Sequence, residues 1–226
     1  EALDPKTKEV RGTFPCPKCK AMLTKDNLQR IFESFVDPAT KSAWKRIKFI
    51  PVIVCYKVGK KRFEKKPDDS DRKILKKIDG LPFPTAMPTD EFPIEKMSHG
   101  SRIAPKGFTR VHHFFLPRAA QSLGIIWSKI DAIEDVRTRN VLRFFGEQAI
   151  WTASLLNRYR PTGYSQVNQY ISGVYYIPSQ HAECTPWYIL EGKLDRLVKA
   201  FSAARMHDGR AVVTTGTAAK LGISDA

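Results

Sequence analysis

Four prolines lie between Pro82 and Pro93, and they constrain the fold more than any other stretch. Proline has no amide hydrogen, and its ring clashes inside a helix. It also leaves a gap in the ladder of a central strand. The spacing therefore predicts an extended connection over 81–98, with a front module before it (1–80) and a larger body after it (99–226). The two sides are patterned differently. Residues 47–58 are β-branched and aromatic, and Gly59 with a second run around Arg62-Phe63 predicts a strand and a hairpin, with Pro51 forcing an edge or a bulge. Asp68, Asp69, Ser70 and Asp71 open a short helix facing inward through Ile74, Leu75 and Ile78. A further helix is predicted from Thr24, with Leu28, Ile31, Phe32 and Phe35 on one face and Asp37-Pro38 as its end.

After the prolines the pattern turns helical. Pro117 suits a first helical position, and Ala120, Leu123, Ile126, Trp127 and Ile130 form a stripe. Residues 137–159 are apolar nearly all round, which predicts one buried central helix. A third helix from Pro186 turns Leu190, Leu194, Leu197, Val198 and Phe201 inward, and short strands are expected at Val174–Ile177 and Ala211–Thr215. The expected class is α+β: a mainly helical body with a few strands, joined to a small N-terminal cysteine-bearing element and a basic β-hairpin.

Charge narrows the function. The 226 residues carry 38 Lys+Arg against 23 Asp+Glu, a net charge of +15, and such an excess attracts polyanions, nucleic acid first among them. It is concentrated between Lys41 and Lys66, where ten cations meet one acid, Glu64. Trp44, Phe49, Tyr56 and Phe63 are interleaved with them. The candidate nucleic-acid contacts are Lys45, Arg46, Lys48, Lys57, Lys60, Lys61, Arg62, Lys65 and Lys66. Cations and aromatics on a hairpin suit phosphate contact and base stacking; a solvated hairpin tip beside core aromatics is the plainer alternative.

Cys16-Pro17-Lys18-Cys19 has the spacing of half a zinc knuckle, which needs two more ligands. His181 and Cys184 have ligand spacing too and are a weaker candidate for completing the set. An unligated pair in a loop is the next reading, and a redox pair stands well behind because no βαβ context follows. Cys55 fits a small core residue. His112-His113 has no carboxylate or nucleophile placed beside it by any motif, which favours a structural role. Arg158, Arg160, Tyr164, Gln166, Asn168 and Gln169 form a polar stretch that suits base reading or a hydrogen-bonded loop equally. The chain contains no P-loop, glycine-rich nucleotide loop, Gly-x-Ser-x-Gly, His-Glu-x-x-His or kinase signature, and no residue is assigned a catalytic or cofactor-binding role. No apolar run is long enough for a membrane span, and four scattered cysteines suit a reducing cytoplasm.

Several stretches together carry a resemblance: Ala2-Leu3-Asp4-Pro5-Lys6 with Cys16-Pro17-Lys18-Cys19, His99-Gly100-Ser101-Arg102 with Phe115-Leu116-Pro117-Arg118, Ser154 through Pro161, and Trp187 through Phe201. The set resembles the middle region of large bacterial DNA methylases that carry a zinc ribbon, relatives of the N6-adenine and N4-cytosine amino-methyltransferases. The resemblance implies a parent enzyme that uses S-adenosylmethionine on DNA. It also implies that the cofactor glycine motif precedes this region and the Asp-Pro-Pro-aromatic motif follows it. Thr214 to Ala226 would then be the lead-in to the catalytic strand. On this expectation the chain is a fragment that partners DNA and the remainder of its parent and is inactive alone. Cys16 and Cys19 would be a zinc-ribbon remnant whose zinc is lost or incomplete. A non-catalytic nucleic-acid-binding module with a zinc knuckle is the alternative.

Overall fold

The computed structural model describes residues 4, 6–7, 11–24, 26–97, 100–160 and 177–204. The chain is mixed α+β. Among the described residues six strands form three separate antiparallel pairs: β1 (Thr13–Pro15) with β2 (Met22–Thr24), β3 (Phe32–Val36) with β4 (Ala43–Ile47), and β5 (Val54–Val58) with β6 (Lys61–Lys65). The helices are α1 (Asp69–Asp79), α2 (Gly100–Ile103), α3 (Pro117–Asp131), α4 (Val136–Glu147), α5 (Ile150–Ala153) and α6 (Pro186–Ala204). The described strands all precede the prolines. Among the described residues, the body beyond them is helical, with short 3-10 turns. None of the helices is long and apolar enough to cross a membrane.

The helix expected from Thr24 does not form. Residues 32–36 are instead strand β3, paired from Phe32↔Ile47 to Val36↔Ala43. Phe32, Ile31, Leu28 and Phe35 do fit a helical spacing, but Phe32 to Val36 pairs with Ala43 to Ile47 across the turn at Asp37, and that pairing prevails over the local period. Phe35 and Trp44 face inward as a pair, while Phe32, Ser34 and Val36 are exposed. Asp37 does not end a helix; it makes a hairpin turn. Its Oδ1 accepts the amides of Ala39 at 2.8 Å and Thr40 at 3.3 Å, its own amide reaches the Ser42 carbonyl, and Lys41 closes the turn at φ 61°. The single strand expected over 47–58 divides into the end of β4 and the whole of β5, with Pro51 in the irregular stretch between.

Helix α1 forms as expected, with Asp68 and Asp71 in a reciprocal capping box. Leu75 and Ile78 are half-buried and the helix packs on α3, whereas Ile74 is exposed. The single buried helix over 137–159 is replaced by α4 and α5, broken around Gln148 and Ala149, and Phe144 is exposed. Gly146 explains the close approach of α4: a Cβ there would press on Trp127 and Ile130 of α3. In α6 only Leu190 of the five expected inward residues is fully buried. Leu194, Val198 and Phe201 are exposed, because α6 packs on α4 and α5 through its first turns. Val174 to Tyr176 and the strand expected at Ala211–Thr215 lie outside the described residues.

Two apolar clusters share Phe115. One holds Met87, Ala119, Ala120, Leu123, Ala149, Ala153 and Leu190. The other holds Ile103, Phe108, Phe114, Leu155, Leu156 and Ile177, with Ile47 and Phe49 of the front half packed against it. The proline stretch is part of this packing. Met87 is buried, and Pro84 sits so close to Gly124 of α3 that a Cβ would collide with its ring. Gly107 is the tightest junction between front and body. Its φ of 94° is left-handed, a Cβ would strike the Lys45 carbonyl oxygen and the Arg46 backbone, and its own carbonyl accepts the Trp44 indole N–H at 2.7 Å.

Gly107→Ala therefore meets both backbone strain and a collision with β4. A stability loss on the order of 1–3 kcal/mol is expected, measured by urea unfolding. An unchanged midpoint would show that β4 does not dock there.

Candidate functional site

Two arrangements of polar side chains stand out: a buried acid–histidine cluster joining the front to the body, and the exposed basic hairpin.

The cluster is built by the β3–β4 turn and the 3-10 turn Val111–Phe114. The turn that Asp37 makes for itself leaves its carboxylate pointing into the protein, where it is 1% exposed. His112 and His113, also buried, meet it. His112 Nε2 lies 3.1 Å from Oδ1 and 2.9 Å from Oδ2, and His113 Nε2 lies 3.2 Å from Oδ2. The indole of Trp44 stacks on the His113 ring at 4.0 Å between centroids and 13° between planes. The carboxylate that the sequence does not place beside the histidine pair thus comes from 75 residues away.

Asp37, His112 and His113 are a possible metal-binding cluster, since their ligand atoms lie within 4.8 Å of one another. The hydrogen bonds around His113 decide what the cluster does as it stands. Its Nδ1 accepts the amides of Thr109 and Arg110, each at 3.2 Å. A nitrogen accepting two N–H groups carries a lone pair, so the ring proton sits on Nε2 and is donated to Asp37. A metal on His113 Nε2 would require that lone pair to be on the other nitrogen. Asp37 is already saturated by the two backbone amides and both imidazoles. The arrangement is a donor–acceptor clasp. Within the cluster only His112 Nδ1 is left buried without a partner; Asn157 Oδ1 and Tyr159 OH share that condition elsewhere among the described residues.

The electrostatics agree. Burial alone would raise the Asp37 carboxyl, but hydrogen bonds from His112, from the Ala39 amide and from His113 outweigh it and hold the group well below the usual carboxylate range. Burial pushes His113 down to about 4, against the pull of Asp37. A cleft of about 60 Å³ lies beside the clasp, lined by Phe35, Trp44, Asp79, Phe83 and His112 among others; pockets for drug-sized ligands are roughly 300–1,000 Å³.

The basic residues divide between two places. Lys45, Arg46 and Lys48 belong to or follow β4. Arg46 is bound into the front core: its guanidinium lies over the rings of Phe35 and Trp44, each at 4.8 Å, and its Nε donates to Glu33 at 3.0 Å. Lys45 is exposed and lies over Phe32, and Lys48 is exposed. The second place is the β5–β6 hairpin, where Lys57, Lys60, Lys61, Arg62 and Lys66 are exposed. Lys65 differs from these: Asp68 at 2.7 Å and Asp71 at 2.8 Å accept from its ammonium and raise its pKa.

Cys16 and Cys19 occupy the turn between β1 and β2. The Cys16 amide donates to the Ala21 carbonyl, and Lys20, at φ 60°, donates back to the Cys16 carbonyl. That is a knuckle-like turn, but no zinc site closes on it. Among the described residues, Asp37–His112–His113 is the one group of three or more ligand types brought together. The set Cys16, Cys19, His181 and Cys184 is not assembled. His181 packs edge-on against Phe49, and Cys184 Sγ accepts from Asn157. Cys55 is an exposed residue of β5 rather than a core residue. Tyr164, Gln166, Asn168 and Gln169 lie outside the described residues.

Acid should open the clasp. An unfolded histidine protonates near 6.5, whereas folded His113 stays neutral to about 4. Between those values the unfolded chain binds more protons, so stability is full above the window and falls as pH drops through it. His181, pushed down to about 4 by burial, titrates in the same window. In thermal melts from pH 7 to pH 4, His113→Gln is expected to flatten part of this fall, with His181 carrying the rest. Asp37→Ala strands the two buried imidazoles and the turn amides of Ala39 and Thr40 and is expected to cost on the order of 3–5 kcal/mol at pH 7. A pH-independent melting temperature would remove the clasp from the stability of the fold. Comparison with protein-family models, with curated proteins and with solved structures finds no match to this chain.

Proposed function

We propose that this chain is the DNA-contacting, scaffold-forming central region of an S-adenosylmethionine-dependent DNA amino-methyltransferase, with the β5–β6 hairpin as the contact. The observation that carries the contact is the exposure of Lys57, Lys60, Lys61, Arg62 and Lys66 along one two-stranded element whose own single acid is Glu64. Cations spaced along such a ribbon can follow a phosphate backbone and release its counterions. The methyltransferase part of the reading rests on the four sequence stretches that resemble zinc-ribbon DNA methylases.

On this reading the chain supplies binding and support, not chemistry. Its 226 residues contain neither a glycine-rich cofactor loop nor an Asp-Pro-Pro-aromatic motif, so no step of methyl transfer is assigned to any residue. In the parent the target base would have to leave the duplex stack to present its exocyclic amine. Cys16 and Cys19, two ligands without a third among the described residues, do not fit a structural zinc site and take no part in the reading.

Two measurements test it. Binding of this chain to duplex DNA should weaken steeply from roughly 50 to 200 mM salt, with a log-log slope near −4 to −5 for about five phosphate contacts. The triple variant K57A/K60A/K61A should reduce the slope by roughly one for each lysine. Arg46→Ala should lower the melting temperature and leave the slope alone. Salt-independent binding, or none, rejects the contact. For the enzyme, the parent protein should move a labelled methyl group from S-adenosylmethionine to DNA while this chain alone does not. A parent without that activity leaves the non-catalytic binding module as the reading.

A further inference from the structure

The β5–β6 hairpin is patterned the wrong way round for a structural element. In an antiparallel pair, residues directly opposite share a face. Val54/Lys65, Tyr56/Phe63 and Val58/Lys61 therefore make one face, and Cys55/Glu64 and Lys57/Arg62 make the other. The second face is the one turned toward the body. Arg62 lies over the ring of Tyr188 at the start of α6, 5.9 Å from its centroid. Glu64 and Cys55 are near enough to Tyr159 for their charges to raise its pKa after burial has done so.

The apolar face is open to solvent. Tyr56 is 44% exposed, Phe63 41% and Val58 62%. The two rings stack on each other across the strands, 5.5 Å between centroids and 22° between planes. Burial does not account for the aromatic pair, because Cys55, Lys57, Arg62 and Glu64 on the opposite face are exposed as well. A preassembled aromatic pair flanked by cations suits a ligand that is both anionic and flat-ringed. Stacking needs a base whose face is open, and bases within a duplex show only their edges.

We propose that Tyr56 and Phe63 form a stacking platform for an unpaired base, so that the hairpin prefers single-stranded or locally opened DNA to intact duplex. This rests on the proposal that the hairpin contacts DNA and adds the class of DNA it selects. Lys61 on the same face and Lys60 in the adjoining turn would hold the backbone beside the stacked base, and the aromatic pair would supply the preference.

The test is a titration of the whole chain with a short fluorescein-labelled oligothymidylate and with a labelled duplex of equal length, at the same salt. The comparison includes Y56L/F63L, which keeps apolar bulk and removes both π faces, and K57A/K60A/K61A. Circular dichroism and melting temperature check that the variants fold. The single strand should bind the unmodified chain more tightly. Y56L/F63L should weaken oligothymidylate binding about tenfold or more and leave duplex binding within about twofold, while the lysine variant weakens both. If the leucine variant binds both ligands as the unmodified chain does, the platform is wrong and the electrostatic contact stands. If no DNA binds at all, the reading beneath it fails as well. Equal or tighter binding to phosphatidylserine vesicles, lost in Y56L/F63L and not displaced by oligothymidylate, would assign the same face to a membrane and overturn the proposal.

Discussion

The carboxylate of Asp37 is the point on which the described structure depends. It closes the β3–β4 turn through two backbone amides and, from the same two oxygens, holds both histidines of the turn that precedes α3. A buried carboxylate is costly unless its acceptor sites are filled. Here they are filled from two parts of the chain 75 residues apart, so the front and the body must be in register for the charge to be tolerated. Trp44 adds to the constraint by stacking on His113 while donating to the carbonyl of Gly107. Gly107 has no side chain because β4 lies where a Cβ would be. The cluster has the composition of a metal site, yet its proton positions make it a fastener.

That junction governs where the basic residues end up. Arg46, next to Trp44, is drawn over the same aromatic rings and paired with Glu33, which removes it from the exposed surface. Lys65 is drawn to the capping acids of α1 in the same way. What is left outside is Lys41, Lys45 and Lys48 on or beside the β3–β4 hairpin and a compact set around β5, β6 and their turn. The exposed cations are therefore fewer than the run from Lys41 to Lys66 suggests, and the set around β5 and β6 shares its hairpin with the stacked aromatic pair. The proposed function and the proposed preference for an open base both come from that coincidence.

Much of the fold could be read from local pattern. The β5–β6 hairpin follows from β-branched and aromatic residues around Gly59, α1 from its capping acids, and α3 from Pro117 and a clean apolar stripe. The failures have a common cause. Residues 24–36 satisfy a helical period, yet pairing with 43–47 selects the strand. Residues 137–159 are apolar enough for one helix, but packing against α3 at Gly146 and the polar turn around Asn157 divide them. In α6 the inward stripe was inferred from spacing alone, and spacing does not say whether a neighbour is long enough to cover it.

The amino-acid sequence by itself determined the mixed α+β class, the basic β-hairpin before the prolines, the excess of positive charge and the presence of interleaved aromatics. These are properties of composition and of short-range period, and they need no partner to be expressed. Tertiary structure alone decided that Asp37 belongs with His112 and His113, that Arg46 and Lys65 are held in ion pairs, and that Tyr56 and Phe63 face outward. Each of those outcomes depends on which distant surface a side chain meets. A carboxylate, a guanidinium or an aromatic ring has the same local propensity whether it is fastening the core or facing solvent. The half knuckle at Cys16 and Cys19 shows the same limit from the other side: its turn is local and forms, whereas the ligands needed to close a zinc site on it would have to come from elsewhere, and among the described residues none does.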